Sequence, residues 1–464
     1  MKTVSFLFAS LCSILLLSCS QPAGGPLFNG QDVDKWNTSG QVSLTDNVLT
    51  LSGPATQAVL KKGVYKDFTL TLDLRTTQGG KGSVWFHTNP SLTKGYRIAL
   101  NNDRTDPVWW KMSGSLVAVR NLAKSFVKEN DWFTLNIMVE GKAITVSING
   151  SPVVEYIEPA VPFRTGNHAA ATLSEGTFAI VGEGDGAIEI RNITVDVIDL
   201  KEKGIDVAAQ QAEAVDEQTD NIIRLHQEDF PVLDYHVHLK GGLTNEGAAK
   251  QSRQTGINYA IAPNCGIGFP ITDDAGVMNF LNDMRSEPFI LAMQAEGREW
   301  VTTFSKDVRD EFDYVFTDAL TFTDSKGRRS RIWIPEETWI EDEQQYMDLI
   351  VDRICGVLEE PMDIYVNPCF LPPQMQDRYD EFWTEERMNK FVGALARSGK
   401  VLEINARYKI PNKAIIQKAK AAGVKFSFGT NNAEAEVGKL EYCIRMKEAC
   451  GLTAKDMYKP EIKI

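Results

Sequence analysis

The sequence predicts two domains of different class, an all-β sandwich of the jelly-roll type followed by a closed barrel of parallel strands and helices. The chain has 464 residues, which exceeds one ordinary domain. Residues 26–200 alternate apolar and polar side chains in short runs without a long helical pattern. From residue 230 to 464, short apolar runs alternate with helical stretches. We therefore expect domains over 26–200 and 230–464, joined by residues 201–229.

Residues 1–19 are a predicted signal peptide rather than part of the fold. One lysine precedes an apolar run over residues 4–17, which is shorter than the about 20 residues of a membrane span. The run ends in Leu-Leu-Ser-Cys, which resembles a bacterial lipobox and implies a lipid on Cys19. Ser20 after the cysteine favours the outer membrane, so we expect a cell-envelope lipoprotein facing the periplasm. The alternative is a secretory signal cleaved near Ser20 or Ala23.

The strands of the first domain follow from a two-residue hydrophobic period. Phe68, Leu70, Leu72 and Leu74 alternate with polar residues, and the stretch from Phe133 to Val139 repeats the pattern. Further on, the Asn149-Gly150 pair follows a third such run and predicts a tight hairpin turn. Many short strands with turn signals between them indicate a sandwich.

Charge distinguishes the segment between the two domains and limits the kinds of molecule that the protein can bind. Residues 201–229 carry eight acidic residues against three basic ones and no aromatic residue, which predicts a solvated acidic linker. The whole chain has a net charge of −13, which repels phosphate backbones and argues against a nucleic-acid partner. We expect the membrane to be contacted through the N-terminal lipid alone.

Seven predicted strands and the helices between them define the second domain. The apolar runs lie at residues 232–237, 257–262, 289–295, 314–317, 363–366, 401–405 and 425–429. The helical stretches lie at residues 244–255, 342–359, 377–398, 411–422 and 433–449. Alternating strands and helices form parallel sheets, and active sites of such barrels lie at the carboxyl ends of the strands.

Polar residues follow these predicted strands. His236 and His238 end the first strand on one face, so that one metal ion could take both imidazoles; solvated or core histidines are the alternative. Glu296 follows the third strand and offers a carboxylate ligand. The other candidate site residues share a place at a strand end and are Asn264, Asp318, Asn367, Glu403, Arg407 and Asn431. A helix cap or a surface ion pair would explain any one of these carboxylates.

The Asp-Tyr-His-Val-His motif from Asp234, the glutamate after the third strand and the polar seventh strand end resemble the PHP family of metal-dependent phosphoesterases, which are (βα)7 barrels. The family binds up to three metals, and its ligands carry over to His236, His238 and Glu296, which implies one divalent ion, zinc or manganese, with Asp318 or Glu403 near it. Asparagines stand where the family has further ligands, at Asn264, Asn367 and Asn431. Asparagine is a poor transition-metal ligand but suits sugar hydroxyls, so we expect these amides and Arg407 to bind substrate.

The first domain contains an ordered series of motifs: Leu-Phe-Asn-Gly from Leu27, Gly-Ser-Val-Trp-Phe from Gly82, the Gly95-Tyr96 pair, the hairpin and the final Ile-Arg-Asn-Ile. With these motifs it resembles the 3-keto-disaccharide hydrolase family of concanavalin-like jelly rolls. Two family motifs that would carry acid or base residues differ here, since Arg97 replaces a glutamate and Gly-Glu-Gly-Asp-Gly replaces Asp-His-Gly. This implies a carbohydrate-binding face. Its predicted lining consists of Trp85, His87 and Arg97, with Trp109 and Trp110, although these are equally typical of sandwich core or rim residues.

We expect from these features a cell-envelope hydrolase that acts on carbohydrate, with 3-keto-glycosides as the leading substrates and a metal-assisted site in the barrel. In a reaction on a 3-keto-glycoside, we expect Asp318 or Glu403 to be the general base. Two alternatives stay open. One is a carbohydrate-binding lipoprotein with a catalytically degenerate barrel, and the other is a phosphoesterase with a reduced metal site. Metal content would separate the first alternative from the enzymes.

Overall fold

The computed structural model of the protein describes residues 24–463. The predicted signal peptide and the predicted lipidation site at Cys19 lie outside the described residues. Within them, no helix has the length and apolar character needed to cross a bilayer.

The first eleven strands form one large antiparallel sheet of the jelly-roll type, which we call the β-domain. They are β1 (Gly25–Phe28), β2 (Trp36–Thr45), β3 (Val48–Leu60), β4 (Phe68–Thr76), β5 (Lys81–Thr88), β6 (Tyr96–Asn101), β7 (Phe133–Glu140), β8 (Ala143–Ile148), β9 (Ser151–Ile157), β10 (Thr177–Gly182) and β11 (Ala187–Val197). Their order is β6-β5-β10-β3-β11-β4-β7-β8-β9, with β1 beside β11 and β2 beside β3.

The buried residues of the β-domain are those that the two-residue hydrophobic period predicts. The four apolar residues of β4 from Phe68 to Leu74 are at most 1% exposed, while Thr69 between them is half-buried. Asn149 and Gly150 join β8 to β9, and their φ values of 51° and 84° are the left-handed pair that a type I′ turn requires. The predicted hairpin is therefore confirmed.

The acidic segment 201–229, which we expected to be a solvated linker, is exposed over most of its length but contacts both domains through a few buried residues. It contains two short helices, α1 (Val207–Glu213), which has no buried residue, and α2 (Asn221–Gln227). The Glu217 carboxylate is buried and accepts hydrogen bonds from Arg164 Nη1 at 2.7 Å and from the Tyr156 hydroxyl at 2.6 Å. His226 is buried as well, with Nε2 3.0 Å from the Gly256 carbonyl of the second domain. Charge composition alone missed this because a few buried acidic residues can be compensated by partners distant in sequence.

The second domain, which we call the barrel, contains ten strands. They are β12 (Leu233–Val237), β13 (Asn258–Ile261), β14 (Asn264–Cys265), β15 (Ile290–Ala295), β16 (Tyr314–Thr317), β17 (Thr321–Thr323), β18 (Arg329–Arg331), β19 (Ile364–Tyr365), β20 (Val401–Asn405) and β21 (Phe426–Gly429). Eight of them form a parallel sheet. Seven follow the order β12-β13-β15-β16-β19-β20-β21, as predicted, and the two-residue β14 pairs with β15. The sheet is nearly closed, since the Asn431 amide after β21 donates to the His236 carbonyl of β12 at 2.8 Å. The β17–β18 hairpin follows β16 and stands outside this sheet.

Nine helices of the described residues accompany these strands. They are α3 (Asn245–Thr255), α4 (Asp274–Met284), α5 (Trp300–Thr303), α6 (Lys306–Arg309), α7 (Glu343–Val357), α8 (Tyr379–Phe382), α9 (Glu385–Ser398), α10 (Lys413–Ala421) and α11 (Glu441–Cys450). The predicted helix 377–398 is divided because the Thr384 side chain caps a new helix by accepting from the Arg387 amide. The predicted helix 433–449 begins only at Glu441, because Gly438 is left-handed at φ 78°.

The β-domain covers the amino ends of the barrel strands. Lys124 Nζ donates to the Phe289 carbonyl just before β15 at 2.7 Å. The Ala123 amide donates to Oδ1 of Asn258, the first residue of β13, at 2.9 Å. Trp109 and Trp110 are buried in the same hydrophobic core as the barrel residues. The carboxyl ends of the strands lie at the opposite end of the barrel from this interface.

Candidate active site at the carboxyl ends of the barrel strands

Buried polar side chains are concentrated at the carboxyl ends of the barrel strands. We call the following residues the barrel-end cluster: His236, His238, Asn264, Gln294, Glu296, Thr317, Asp318, Asn367, Glu403, Asn405, Thr430 and Asn432. Burying polar groups is costly unless they are hydrogen-bonded, so a buried polar cluster of this size indicates a functional role. It also lies at the end of the barrel where such folds carry their chemistry.

His236 is held between side chains from two other strands. Its Nδ1 lies 2.6 Å from Oε1 of Glu403, and its Nε2 lies 3.2 Å from Oε1 of Gln294. A carboxylate only accepts hydrogen bonds, so Nδ1 carries the proton of this pair. Gly429 permits the contact, because a Cβ there would overlap Oε1 of Glu403 and lie 2.9 Å from the His236 Cβ.

Both oxygens of Glu403 are hydrogen-bonded to neighbouring groups. Oε1 contacts Nδ1 of His236, and Oε2 accepts from the Asn367 backbone amide at 2.7 Å and from Nδ2 of Asn405 at 3.0 Å. The residue is fully buried. This arrangement suits a residue that orients His236 and Asn367, and the role of Glu403 as general base stays a prediction.

His238 is a neutral imidazole with one ring nitrogen left for chemistry. Its Nδ1 lies 2.7 Å from the Ala262 carbonyl, which can only accept, so this nitrogen carries the proton. Burial lowers the pKa of His238 well below its ordinary value, and the nearby His236 and Lys240 lower it further. The lone pair is therefore on Nε2, where it can accept a proton or bind an electrophile.

Glu296 and Asp318 form a pair of buried carboxyl groups from neighbouring strands. Burial and, as a smaller cause, the charge of Asp318 raise the pKa of Glu296 to about 8. Burial also raises the pKa of Asp318. Glu296 accepts from Nδ2 of Asn264 at 2.6 Å, and Asp318 accepts from Nδ2 of Asn367 at 2.8 Å. The pair consequently retains a proton near neutral pH, which gives an acid and a base in one site.

Three asparagines link the ends of β19, β20 and β21. The Asn367 side-chain oxygen accepts from Nδ2 of Asn405 at 3.1 Å and from Nδ2 of Asn431 at 2.8 Å. Asn367 and Asn431 have left-handed backbones, with φ of 47° and 44°. Non-glycine residues in this conformation store strain that tends to occur at functional sites.

Three cations border the barrel-end cluster. Arg407 is exposed and donates to the Asn431 carbonyl at 3.1 Å, so its position agrees with the predicted substrate contact. Arg298 donates to the Asp318 carbonyl at 2.6 Å and pairs with Glu360 through Nη1. Lys240 lies close enough to Glu296 for their charges to interact. Four residues of this region were not predicted as site residues from the sequence: Arg298, Lys240, Gln294 and Asn405. Each of them lies within a few residues of a strand end where another site residue was predicted.

The proposed metal ligands agree only in part with this geometry. Both imidazoles have Nδ1 fixed by an oxygen acceptor, which is the support usually given to a histidine that binds metal through Nε2. However, no three His, Cys, Asp or Glu side chains between residues 24 and 463 are grouped so that they could hold one ion. Glu296 is directed to Asn264.

The predicted carbohydrate-binding residues of the β-domain are only partly exposed. Arg97 lies over the Trp85 ring at 5.2 Å and donates to His168, so these two residues form a half-exposed pair. His87 is 1% exposed, and both of its ring nitrogens contact the backbone, at Lys66 O and Ser174 N. Burial lowers the pKa of His87 to about 4, so it is a core residue rather than a sugar contact.

Trp109 and Trp110, which we expected to line the same carbohydrate-binding face, are also core residues, because they are buried together with the apolar residues of the barrel. The two groups of predicted site residues are therefore not brought together. Trp85 and Arg97 belong to the β-domain, which covers the amino ends of the barrel strands. The barrel-end cluster lies at the carboxyl ends of the same strands.

Comparisons with known proteins concern the β-domain. Residues 25–196 match the family described as the 3-keto-alpha-glucoside-1,2-lyase-like domain, which confirms the resemblance predicted for this region. A search of curated proteins gives no match to the chain. The PHP resemblance of the barrel stays a prediction.

Three solved structures illustrate the structural likenesses. Two are proteins of Parabacteroides distasonis described as candidate glycosyl hydrolases. The first is 21% identical, covers 38% of this chain and 100% of its own, and has a TM-score of 0.33. The second is 17% identical, covers 37% and 93%, and also has a TM-score of 0.33. A carbohydrate binding module of Bacillus subtilis is 16% identical, covers 35% and 95%, and has a TM-score of 0.27.

Proposed function

We propose that the protein is a carbohydrate-active hydrolase of the bacterial cell envelope, with 3-keto-glycosides as substrates and its active site in the barrel-end cluster. The family match of residues 25–196 supports the substrate class. The observation that carries the catalytic proposal is the pair of carboxyl groups at Glu296 and Asp318, which belongs to the same barrel-end cluster as the neutral imidazole of His238. These groups supply an acid and a base within one buried site.

The chemistry follows from the acidity that a C3 ketone gives to the C2 hydrogen of the sugar. Asp318, whose raised pKa makes it a stronger base, takes this proton, and the electron pair forms the C2–C3 enolate. The enolate then expels the C1 substituent, which receives a proton from Glu296 as it leaves. Addition of water across the resulting double bond completes the hydrolysis. Asn367 holds Asp318 through the hydrogen bond to its Oδ2.

A divalent ion, zinc or manganese, belongs to this proposal as a Lewis acid for the keto oxygen. His236 and His238 would supply two nitrogen ligands through Nε2. Glu296, the third predicted ligand, is assigned to proton donation instead, because a carboxylate that binds a metal has no proton to give. The supported Nδ1 atom of His238 favours this residue as a ligand, whereas Nε2 of His236 already contacts Oε1 of Gln294, which would have to move. Every step above is assigned to protein side chains and does not depend on the ion.

A carbohydrate-binding lipoprotein with an inactive barrel is the second candidate. Two observations favour it: the absence of a three-ligand group among residues 24–463, and Arg97 at a position where the related family has a glutamate. In this case the Trp85–Arg97 pair of the β-domain would bind saccharide and the barrel would be a scaffold.

Activity and metal content of the purified protein distinguish these functions. We expect release of the aglycone from a 3-keto-glucoside, loss of at least 100-fold in kcat for Asp318→Asn, and loss of metal for His238→Ala. Asn367→Ala should keep the metal and raise KM. Turnover of phosphate esters instead would favour the phosphoesterase, and saccharide binding without turnover would favour the binding protein.

Attachment to the envelope is a separate part of the proposal and depends on Cys19. Cells expressing the protein should incorporate radiolabelled palmitate into it, and the membrane fraction should contain it. Cys19→Ala should abolish both, whereas equal labelling of the two proteins would contradict lipidation. Palmitate labelling of Cys12→Ala is the matched control, because Cys12 lies within the predicted signal peptide.

A further inference from the structure

A pocket of about 450 Å³ lies at the edge of the β-domain where the described residues begin. Residues 24–27 line it together with Lys35, Lys61 and Lys62. Backbone pairing brings these lysines together, because the Lys61 amide, just after β3, donates to the Lys35 carbonyl, just before β2, at 2.8 Å. Lys35 Nζ also donates to the Pro26 carbonyl at 2.5 Å. Three lysines are therefore grouped around the first residues of the β-domain.

The loop between β3 and β4 exposes an apolar side chain next to these lysines. Val64 is 52% exposed. Its neighbour Tyr65 is buried, with its ring centroid 4.7 Å from that of Phe178 and its backbone amide donating to the Gly176 carbonyl at 2.8 Å. Tyr65 thus holds the loop in place, and Val64 is left in solvent. Contact with an apolar phase would remove this valine surface from water, which is favourable.

Four lysines and this valine stand in the loop and at the strand end beside it. We call them the basic patch: Lys35, Lys61, Lys62, Val64 and Lys66. The four lysines are exposed, and none of them forms an ion pair within residues 24–463, whereas Lys81 and Lys111 of the same domain pair with Asp106 and Asp229. Asp34 is the one acidic residue that lines the pocket. The basic patch therefore carries uncompensated positive charge on a protein with a net charge of −13.

The predicted lipidation site is close enough in sequence to bring the basic patch to a bilayer. Cys19 precedes Gly24 by five residues, a length of chain that spans at most about 18 Å when fully extended. A lipid on Cys19 would consequently keep the pocket, which Gly24 lines, near the lipid headgroups. Anionic headgroups attract lysine side chains near the surface, and the boundary with the acyl chains accommodates apolar ones such as Val64.

We propose that the basic patch docks the β-domain on a bilayer surface that contains anionic phospholipid. This adds a protein contact to the lipid contact predicted from the sequence. The inference rests on the cell-envelope location in the proposed function and is independent of the hydrolase reaction. An acidic polysaccharide would also attract the lysines but offers no apolar phase to Val64, so the exposed valine favours the bilayer.

The test measures binding of the full-length protein to vesicles by flotation at increasing lipid concentration. All proteins carry Cys19→Ala, so that no attached lipid contributes, and the vesicles consist of phosphatidylcholine with or without phosphatidylglycerol. We expect tighter binding to the anionic vesicles. Lys61→Gln with Lys62→Gln should weaken that binding about 25-fold, since each lysine near such a surface contributes about fivefold, and should leave binding to neutral vesicles unchanged. Val64→Ser should weaken it about threefold or more.

The matched control is Lys128→Gln with Lys250→Gln. It removes the same charge from two exposed lysines outside the basic patch that also form no ion pair within residues 24–463. Equal weakening by the two double variants would indicate an effect of net charge and overturn the patch, as would equal binding of the parent protein to both kinds of vesicle. Vesicle binding abolished by inorganic phosphate at constant ionic strength would instead indicate a pocket for free phosphate. Binding to dextran sulfate but not to anionic vesicles would indicate an acidic polysaccharide, and either result would overturn docking to a bilayer.

These outcomes are separable from those of the proposed function. Preference for anionic vesicles in a protein that does not hydrolyse 3-keto-glucosides would support the basic patch and contradict the reaction alone. Palmitate labelling of the protein with its native Cys19, together with no preference for anionic vesicles, would support the lipid anchor and contradict the basic patch.

Discussion

Two buried polar clusters of this protein, one in each domain, have opposite electrostatic balance. The first, which we call the Arg164 cluster, joins Tyr96, Tyr156, Glu158 and Glu217 around Arg164 in the β-domain. Arg164 donates to Tyr96, Tyr156 and Glu217 over 2.7–2.8 Å, and Glu158 accepts from Tyr96 at 2.6 Å. Its charges and its hydrogen-bonding atoms are satisfied by partners.

The barrel-end cluster lacks this compensation. Within residues 24–463, no Lys or Arg nitrogen lies within 4.0 Å of the Glu296 or Asp318 carboxylate, and the pKa of each group is raised by burial. The difference shows that burial alone does not identify a functional site. A compensated cluster holds chain segments together, while an uncompensated one is maintained at a cost in stability and is typical of an active site.

Removing one charge should destabilise the Arg164 cluster more than any other single change considered. Glu217→Gln leaves the Arg164 guanidinium buried without a counter-charge, so we expect a loss of about 3–5 kcal/mol in the free energy of unfolding. Urea denaturation followed by circular dichroism measures this. The double variant Arg164→Met with Glu217→Gln should recover part of the loss, and a loss below about 1 kcal/mol in the single variant would contradict the structural role.

The barrel-end cluster should instead make the free energy of unfolding depend on pH. Burial raises the pKa of Glu296 from 4.5 to about 8, so the folded state binds the proton more tightly than the unfolded state. The resulting stabilisation is complete below pH 4.5 and is lost as the pH rises to about 8, with a total on the order of 3 kcal/mol. Glu296→Gln cannot titrate and should remove this dependence, as measured by urea denaturation from pH 5 to 8 in EDTA. Identical profiles for both proteins would show that Glu296 titrates normally.

Steric contact at the end of β21 gives a smaller effect with a functional consequence. Gly429→Ala places a methyl group against Glu403 and His236, so we expect a loss of about 1–3 kcal/mol in stability. The displaced Glu403 should no longer orient His236, and hydrolase activity or saccharide binding should fall. Thermal unfolding and the activity assay measure the two effects. Full activity at reduced stability would mean that the His236–Glu403 pair is structural only.

The smallest expected effect serves as the control for that substitution. Gly356 is exposed on α7, and a Cβ there meets no atom within 4 Å. Gly356→Ala should therefore stabilise the protein by about 0.5–1 kcal/mol through the higher helix propensity of alanine, and activity should not change. A destabilising result would indicate that glycine is required near this helix end.

The sequence by itself determined the local elements, because these depend on residues that are close in the chain. The two-residue period of β4 and β7 and the Asn149-Gly150 turn specify strands and a hairpin without reference to the rest of the molecule. The seven barrel strands likewise follow from short apolar runs between helical stretches. Their carboxyl ends could be selected as a site in advance, because parallel strands joined by helices bring those ends together.

Only the tertiary structure decided which partners the side chains meet. Glu403 contacts His236 across 167 positions of sequence, a partner that no local pattern indicates. Trp109 and Trp110 have the composition of a sugar platform but are buried against the barrel, and Glu217 of the acidic segment pairs with Arg164. The residue type limits the interactions that a side chain can make. Its burial and its hydrogen-bond partners depend on atoms that the fold brings close, and they determine which of those interactions it makes.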